Sequence, residues 1–322
     1  MTQLVVGVER WSDRVAWDRF VAMSPQGSVF CRADFLDALG VEWEAVRVGS
    51  DDRPHAAAVL LRDDAGPVCA PFPFTQYQGV LLPPAGPAEP AHRRVRSTLE
   101  ALGCLLEGLR DRAELSWCLH PAFPDIRPFS WFNYHQPDEG RFAVEVRYAG
   151  IIPVPEAGTI DAVLGQSRSV RRQEWRKARE RFTVSASVDL ELLDRLHADT
   201  FARQGIERPA SEARLLSAIA AAAVRSGFGE MFAAHDRDGR PAGAVLFLFD
   251  ERAAYYLVAA HDPAFRSTGV STLLFLAGIE RGLRRGVRQI DVVGMNSPGR
   301  ADFKASFGAV PMPYFVVRWR HP

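Results

Sequence analysis

Three apolar runs, "EMFAAHD", "AGAVLFLF" and "AAYYLVAA", follow one another with only "RDGRP" and "DER" between them. Turns that short join neighbouring strands, so the stretch reads as an antiparallel meander. A helix over about 270 to 285, stopped at Gly286, carries the chain to a strand "RQIDVVGM". A short helix over about 298–307 and a last strand "PYFVVRWR" complete the run. A meander followed by a helical crossover makes a mixed sheet with helices packed on it.

The first half has a similar order. Ser12 is placed to cap a first helix, with Trp17, Phe20 and Val21 at helical spacing, and "ADFLDALG" is a second short helix. "WEAVRVG" and "HAAAVLLR" read as strands around "SDDRP". The apolar segment "PVCAPFPF", a helix at about 90–110 and strands "AELSWCLH" and "FAVEVRY" follow. "GIIPVPEAGTID" then reads as a linker. The expected fold class is α/β (α+β), with two modules at 1–150 and 151–322, each a mostly antiparallel sheet flanked by helices. At 322 residues the chain is long enough for both.

Composition narrows the function. The formal net charge is zero, so no overall field draws the chain to nucleic acid or a membrane. The four cysteines, at 31, 69, 104 and 118, lack the close spacing of a metal or redox motif. They are expected to be reduced, as in a cytoplasmic protein, and the eight scattered histidines give no metal site. The N-terminus lacks a signal-peptide pattern, and no apolar run is long enough for membrane insertion.

Charge is uneven locally. "LGQSRSVRRQEWRKARERF" reads as helical, and from Gln166 to Phe182 seven Arg/Lys face two Glu, a surplus of five. Arg168, Arg172, Arg176 and Arg179 share one broad face, suited to a phosphate-rich ligand. Of 39 basic residues only Lys177 and Lys304 are lysine. Where arginine fills ordinary solvated positions, a surviving lysine is a candidate for a specific role. Lys304 shares a helix face with Arg300, while Phe303 and Phe307 are expected to face the core. Asn296 and Ser297 cap that helix, Pro298 is its first residue and Gly308 lies past its end.

The turn Arg266-Ser-Thr-Gly269-Val-Ser271 opens the helix after the meander. Unpaired N–H groups, a permissive glycine and a nearby cation could cradle a phosphate there. The equivalent first-half turn holds Pro83, Pro84, Pro87 and Pro90, each lacking an N–H, so it is a poor cradle.

The segments "SRSVRRQEWRKARERF", "HADTFARQG", "YYLVAAHDPAFRSTGVSTLL" and "DVVGMNSPGRADFKASFGA" resemble the GNAT-fold superfamily. Within it they are similar to the two-module branch that includes the Fem-type aminoacyl transferases. The resemblance implies an N-acyltransferase that moves an acyl group from an acyl-CoA co-substrate directly to a small amine-bearing acceptor. An alternative implied donor is aminoacyl-tRNA, with the basic helix at 168–181 as the tRNA contact. A non-catalytic binding module is a third reading. The donor would enter where "YYLVAA" and "IDVVGM" splay, with a backbone N–H from 259–261 (Ala260 and His261 among them) polarising its carbonyl. Lys304 matches the family's lysine near the donor and is the catalytic candidate. Arg266, Gly269, Ser271, Arg172 and Arg300 are the further donor-binding candidates. Ser271 departs from the usual glycine or alanine of the family's phosphate loop. Asp291, His261 and Asp262 lie near this cleft in sequence, and no base is assigned among them.

Overall fold

The computed structural model describes residues 7–322. The chain divides into two compact units, one reaching to Arg147 and including Pro313–Pro322, the other spanning Tyr148–Met312. The last ten residues therefore return to the first unit, whereas a division at 150 gives all of 151–322 to the second.

The first unit begins with β1 (Val8–Arg10), α1 (Arg14–Met23), α2 (Ala33–Asp37), β2 (Glu42–Gly49), β3 (Pro54–Asp63), β4 (Gly66–Pro67) and β5 (Val80–Leu81). It continues through α3 (Ala91–Gly108), β6 (Glu114–Leu119), α4 (Arg127–Trp131) and the start of β7 (Ala143–Pro153). Asp13, not Ser12, caps α1, accepting from the N–H groups of Val15 and Ala16. β1, β2, β3 and β4 pair in chain order, β5 adds to β3, and β6 pairs with the late strand β13 (Val310–Arg320). Each of these pairings is antiparallel. Their core is aromatic: Trp117, Phe129, Phe142 and Trp319 are buried together with Leu102 and Leu105 of α3. The apolar segment "PVCAPFPF" forms no strand beyond Gly66–Pro67.

The second unit continues β7 from Tyr148, so "GIIP" is strand where a linker is expected. α5 (Ile160–Gln166), α6 (Ser169–Arg181), β8 (Phe182–Ser187), α7 (Leu190–Ala202) and α8 (Ala210–Ser226) follow. Then come β9 (Gly229–Asp236), β10 (Pro241–Phe249), β11 (Ala253–His261), α9 (Val270–Arg284), β12 (Gln289–Gly294) and α10 (Pro298–Ala305). The basic stretch is two helices because the chain is extended at Ser167 and Arg168 between them. Strand order is β7-β12-β11-β10-β9-β8, with the meander β9-β10-β11 antiparallel as its short turns require.

β10 is apolar throughout because both its faces are covered. Val245, Phe247 and Phe249 pack with Leu273, Phe275 and Ile279 of α9. The alternate residues point the other way, where α7 packs on β10 and β11. Among the described residues no helix is long and apolar enough to cross a membrane.

Candidate active site

β11 and β12 pair in parallel, and only briefly. Ala253, Ala254 and Tyr255 lie against Gln289, Ile290 and Asp291. Beyond that point β11 runs on to His261 and β12 to Gly294 without further pairing, so a gap opens between them. A bulge sits on each strand at the opening. On β11, Val258 pairs with Leu246 and Tyr256 with Phe247, which leaves Leu257 as the extra residue. On β12, three residue steps from Asp291 to Gly294 oppose two steps from Ile151 to Ala149 of β7.

The ladder decides which N–H groups enter the gap. Asp262 donates to the Ala242 carbonyl on the β10 side. Backbone groups alternate along an antiparallel strand. The N–H groups of Ala259 and His261 therefore point away from β10, toward the gap, and that of Ala260 points toward β10. Ala260, a sequence candidate, is thus turned from the gap, and Ala259 takes its place. The His261 carbonyl faces the same way and accepts from Arg203 Nη1 at 3.3 Å. Sequence reasoning missed Arg203, which follows the end of α7 and carries no motif.

Lys304 stands where the gap opens. It is 7% exposed, donates from Nζ to the Gly294 carbonyl at 2.7 Å, and lies 5.9 Å from the Tyr256 ring centroid. It is therefore not on a solvated face with Arg300. On α10 Lys304 is buried and Phe303 only partly so, because a lysine one residue beyond Phe303 points about 100° around the helix; Phe307, in the turn past its end, is buried. Burial pushes the Lys304 ammonium down to about 8, with Asp291 raising it and Arg300 lowering it. Arg300 is exposed on α10 and also lowers the pKa of Tyr256 and His197, so its charge reaches groups on β11 and α7. Burial holds the Tyr256 phenol well above its ordinary range, hence protonated. His197 of α7 is pushed down to about 4 by burial and by Arg208, whose Nη1 lies 3.2 Å from its Nδ1.

Two other candidates meet: Ser271 Oγ and His261 Nδ1 are 3.1 Å apart. Burial, then Arg203 and Arg266, lower the His261 pKa, which favours a neutral ring near pH 7. Arg266 itself is exposed beyond the turn Pro263–Phe265.

Gly269 has φ +83°, a backbone shape that favours glycine. Its neighbour is not open solvent. A Cβ there would lie 2.9 Å from the Glu174 carbonyl oxygen of α6. The glycine thus admits a helix, where the sequence suggests approach to an anion. Glu174 also accepts from Thr272 Oγ1 at 2.5 Å and Arg171 Nη1 at 2.6 Å, which fastens α6 to the first turn of α9. Arg172 is likewise committed, donating to the Leu164 and Ser167 carbonyls at the end of α5. Arg176, Lys177 and Arg179 remain exposed on α6. Ser297 precedes α10 without a side-chain cap, and Asn296 instead accepts from Tyr148 N at 2.9 Å. Among the described residues no group of three or more His, Cys, Asp or Glu could hold a metal ion.

A mixed sheet whose parallel strands part beside a helix start is the arrangement that the sequence resemblance to the GNAT fold implies. A family model described as an acetyltransferase (GNAT) domain matches residues 165–305, and this segment is a GNAT domain within a tandem two-module fold. The protein is an acyltransferase. A search of curated proteins finds no match to the chain. Among solved structures it is similar to FemX, at 16% identity and a TM-score of 0.70, covering 95% of this chain and 96% of that one. It is also similar to a tandem GNAT protein from the clavulanic acid biosynthesis pathway, at 16% identity, TM-score 0.55 and 98% of both chains. A third is a conserved protein of unknown function from Bacteroides thetaiotaomicron, at 10% identity and TM-score 0.59, over 99% of this chain and 100% of that one.

Proposed function

We propose that the second unit forms an amide by direct transfer of an acyl group to a primary amine, and that the β11–β12 gap holds the activated acyl carbonyl. The observation that carries this reading is convergence: the Ala259 and His261 N–H groups and the Lys304 ammonium all lie where the strands part. The amine nitrogen attacks the carbonyl carbon, and the oxyanion that develops meets those donors. The C–N bond forms, the carrier leaves with the electron pair of its bond to carbon, and the amine loses a proton. Lys304 keeps N–H donors beyond the one given to Gly294, since an ammonium has three.

The first reading of the donor is an acyl-CoA, supported by the GNAT domain match and by Arg266 and Ser271 beside the start of α9. In that reading Gly269 shapes the turn, and Arg300 with the ring of His261 borders the entrance. A specific observation favours the second reading, an aminoacyl ester of tRNA: Gly269 is covered by Glu174, while Arg176, Lys177 and Arg179 are exposed on the same helix. Arg172, being committed to α5, is not among the cations offered to either donor.

The test is to incubate the pure protein with acetyl-CoA and, separately, with charged tRNA, and to follow thermal protection and donor consumption. An acyl-CoA enzyme is protected by coenzyme A and indifferent to RNase. A tRNA-dependent one forms product that RNase abolishes. Neither protection nor consumption would overturn both donor readings.

A further inference from the structure

The bulge on β12 contains a conformation that its residue does not favour. Val293 has φ +52°, in the left-handed region where a β-branched side chain crowds its own backbone. Such a residue persists only when its surroundings hold it. Two holds are visible. Asp291 is fully buried, and its Oδ1 accepts from the Val293 N–H at 2.6 Å. On the far side of Val293, the Gly294 carbonyl accepts from Lys304 Nζ at 2.7 Å. A carboxylate and an ammonium thus grip two peptide units of the same bulge, with one peptide unit between them.

The geometry points to Asp291 as the positioning residue of the gap: its carboxylate fixes the backbone at Val293, and so aims the Gly294 carbonyl that anchors the Lys304 ammonium. Asp291 does not need to touch the substrate. It acts through the strand and through its charge. The charged and titratable groups that face Lys304 are Asp291 from β12, Arg300 on α10 and Tyr256 from β11. Tyr256 is neutral, so the balance on the ammonium lies between Asp291, which favours it, and Arg300, which opposes it. What the positioned ammonium is for rests on the acyl-transfer reading, but its placement and charge do not.

The chain has only two lysines, Lys177 and Lys304, so lysine carrying a carbon-13 label at Cε gives two signals that can be titrated directly by NMR. Lys177 is exposed and serves as the internal reference. In Asp291→Asn the Lys304 midpoint is expected to fall by at least about half a pH unit. In Arg300→Gln it is expected to rise, and Lys177 should stay fixed in both. Donor turnover in Asp291→Asn should fall at least about tenfold at pH 8 and recover in part at pH 6, where the ammonium is again charged.

A Lys304 midpoint unchanged in Asp291→Asn overturns the inference, whatever the activity. If Asp291→Asn fails to fold, Asp291→Glu, which keeps the charge but moves the carboxylate off the Val293 N–H, decides: a Lys304 midpoint and turnover both unchanged there overturn it. The acyl-transfer reading fails separately, if Lys304→Met turns over donor at the wild-type rate.

Discussion

The two units solve the same packing problem with different sheets. In the first, the strand pairs are antiparallel, and the helix after the turn, α3, starts from Pro90 without a side-chain cap. In the second, one parallel pair stops after three residue pairs and leaves two strand ends apart. Antiparallel neighbours satisfy each other along their length. A parallel pair that parts exposes N–H groups on an inner edge, beside the start of a helix. The contrast is the reason for placing the proposed chemistry in the second unit: its parted strands lie beside a helix start free of prolines, whereas the corresponding first-unit turn holds Pro83, Pro84, Pro87 and Pro90.

The strongest way to break this comparison is Lys304→Ala. With the fold unchanged by circular dichroism, turnover should fall by about 10²–10³, the usual effect of losing one donor to a developing oxyanion. Wild-type kinetics in that variant would remove the gap as the reaction site. Next, Gly269→Ala should cost about 1–3 kcal/mol, read from urea midpoints, since it adds both a strained φ and a contact with the Glu174 carbonyl. Pro87→Ala, in the corresponding exposed turn of the first unit, should stay within about 1 kcal/mol and leave donor protection untouched. Equal losses at the two turns would show that the α6–α9 contact is not what Gly269 serves.

Acid offers a finer probe of the second unit. His197 has its pKa lowered from 6.5 to about 4 in the folded chain. Between those values the unfolded chain binds the extra proton, so stability falls as pH drops through that window. His197→Gln should flatten the dependence in urea titrations at pH 7 and pH 4.5, and an unchanged slope would place the acid sensitivity elsewhere. The smallest effect is expected from Arg176→Glu. Donor protection should weaken roughly two- to tenfold at low salt, with the difference vanishing at high salt. A salt-independent change would mean that α6 acts by packing and not by charge. Arg172→Glu is not the equivalent experiment, because it breaks the cap on α5.

Much of the scaffold was legible along the chain. The meander, the helix that ends before Gly286, and the strand and short helix after it follow from short turns, terminating glycines and apolar period. All are local signals within a few residues. The scarcity of lysine singled out Lys304, and the turn signals brought His261 and Ser271 into the same neighbourhood. What failed were inferences about direction. Ser12 reads as the cap of α1, yet its neighbour Asp13 is the residue that bonds, which only the backbone decides. "GIIPVP" reads as a linker from its prolines, yet pairs with β12 as far as Pro153. β8, a short and partly exposed strand, gave no apolar run to find.

The sequence by itself determined the order of elements, the basic stretch around α6 and a lysine beside a strand end, because turn chemistry, charge and periodicity act over a few residues. Only the tertiary structure decided that Lys304 is buried against Gly294, that Glu174 covers Gly269, that Arg172 is spent on α5, and that Asp291 holds a left-handed Val293. All but the last join residues from separate elements. They depend on how helices and strands pack on one another, which no short stretch of sequence encodes.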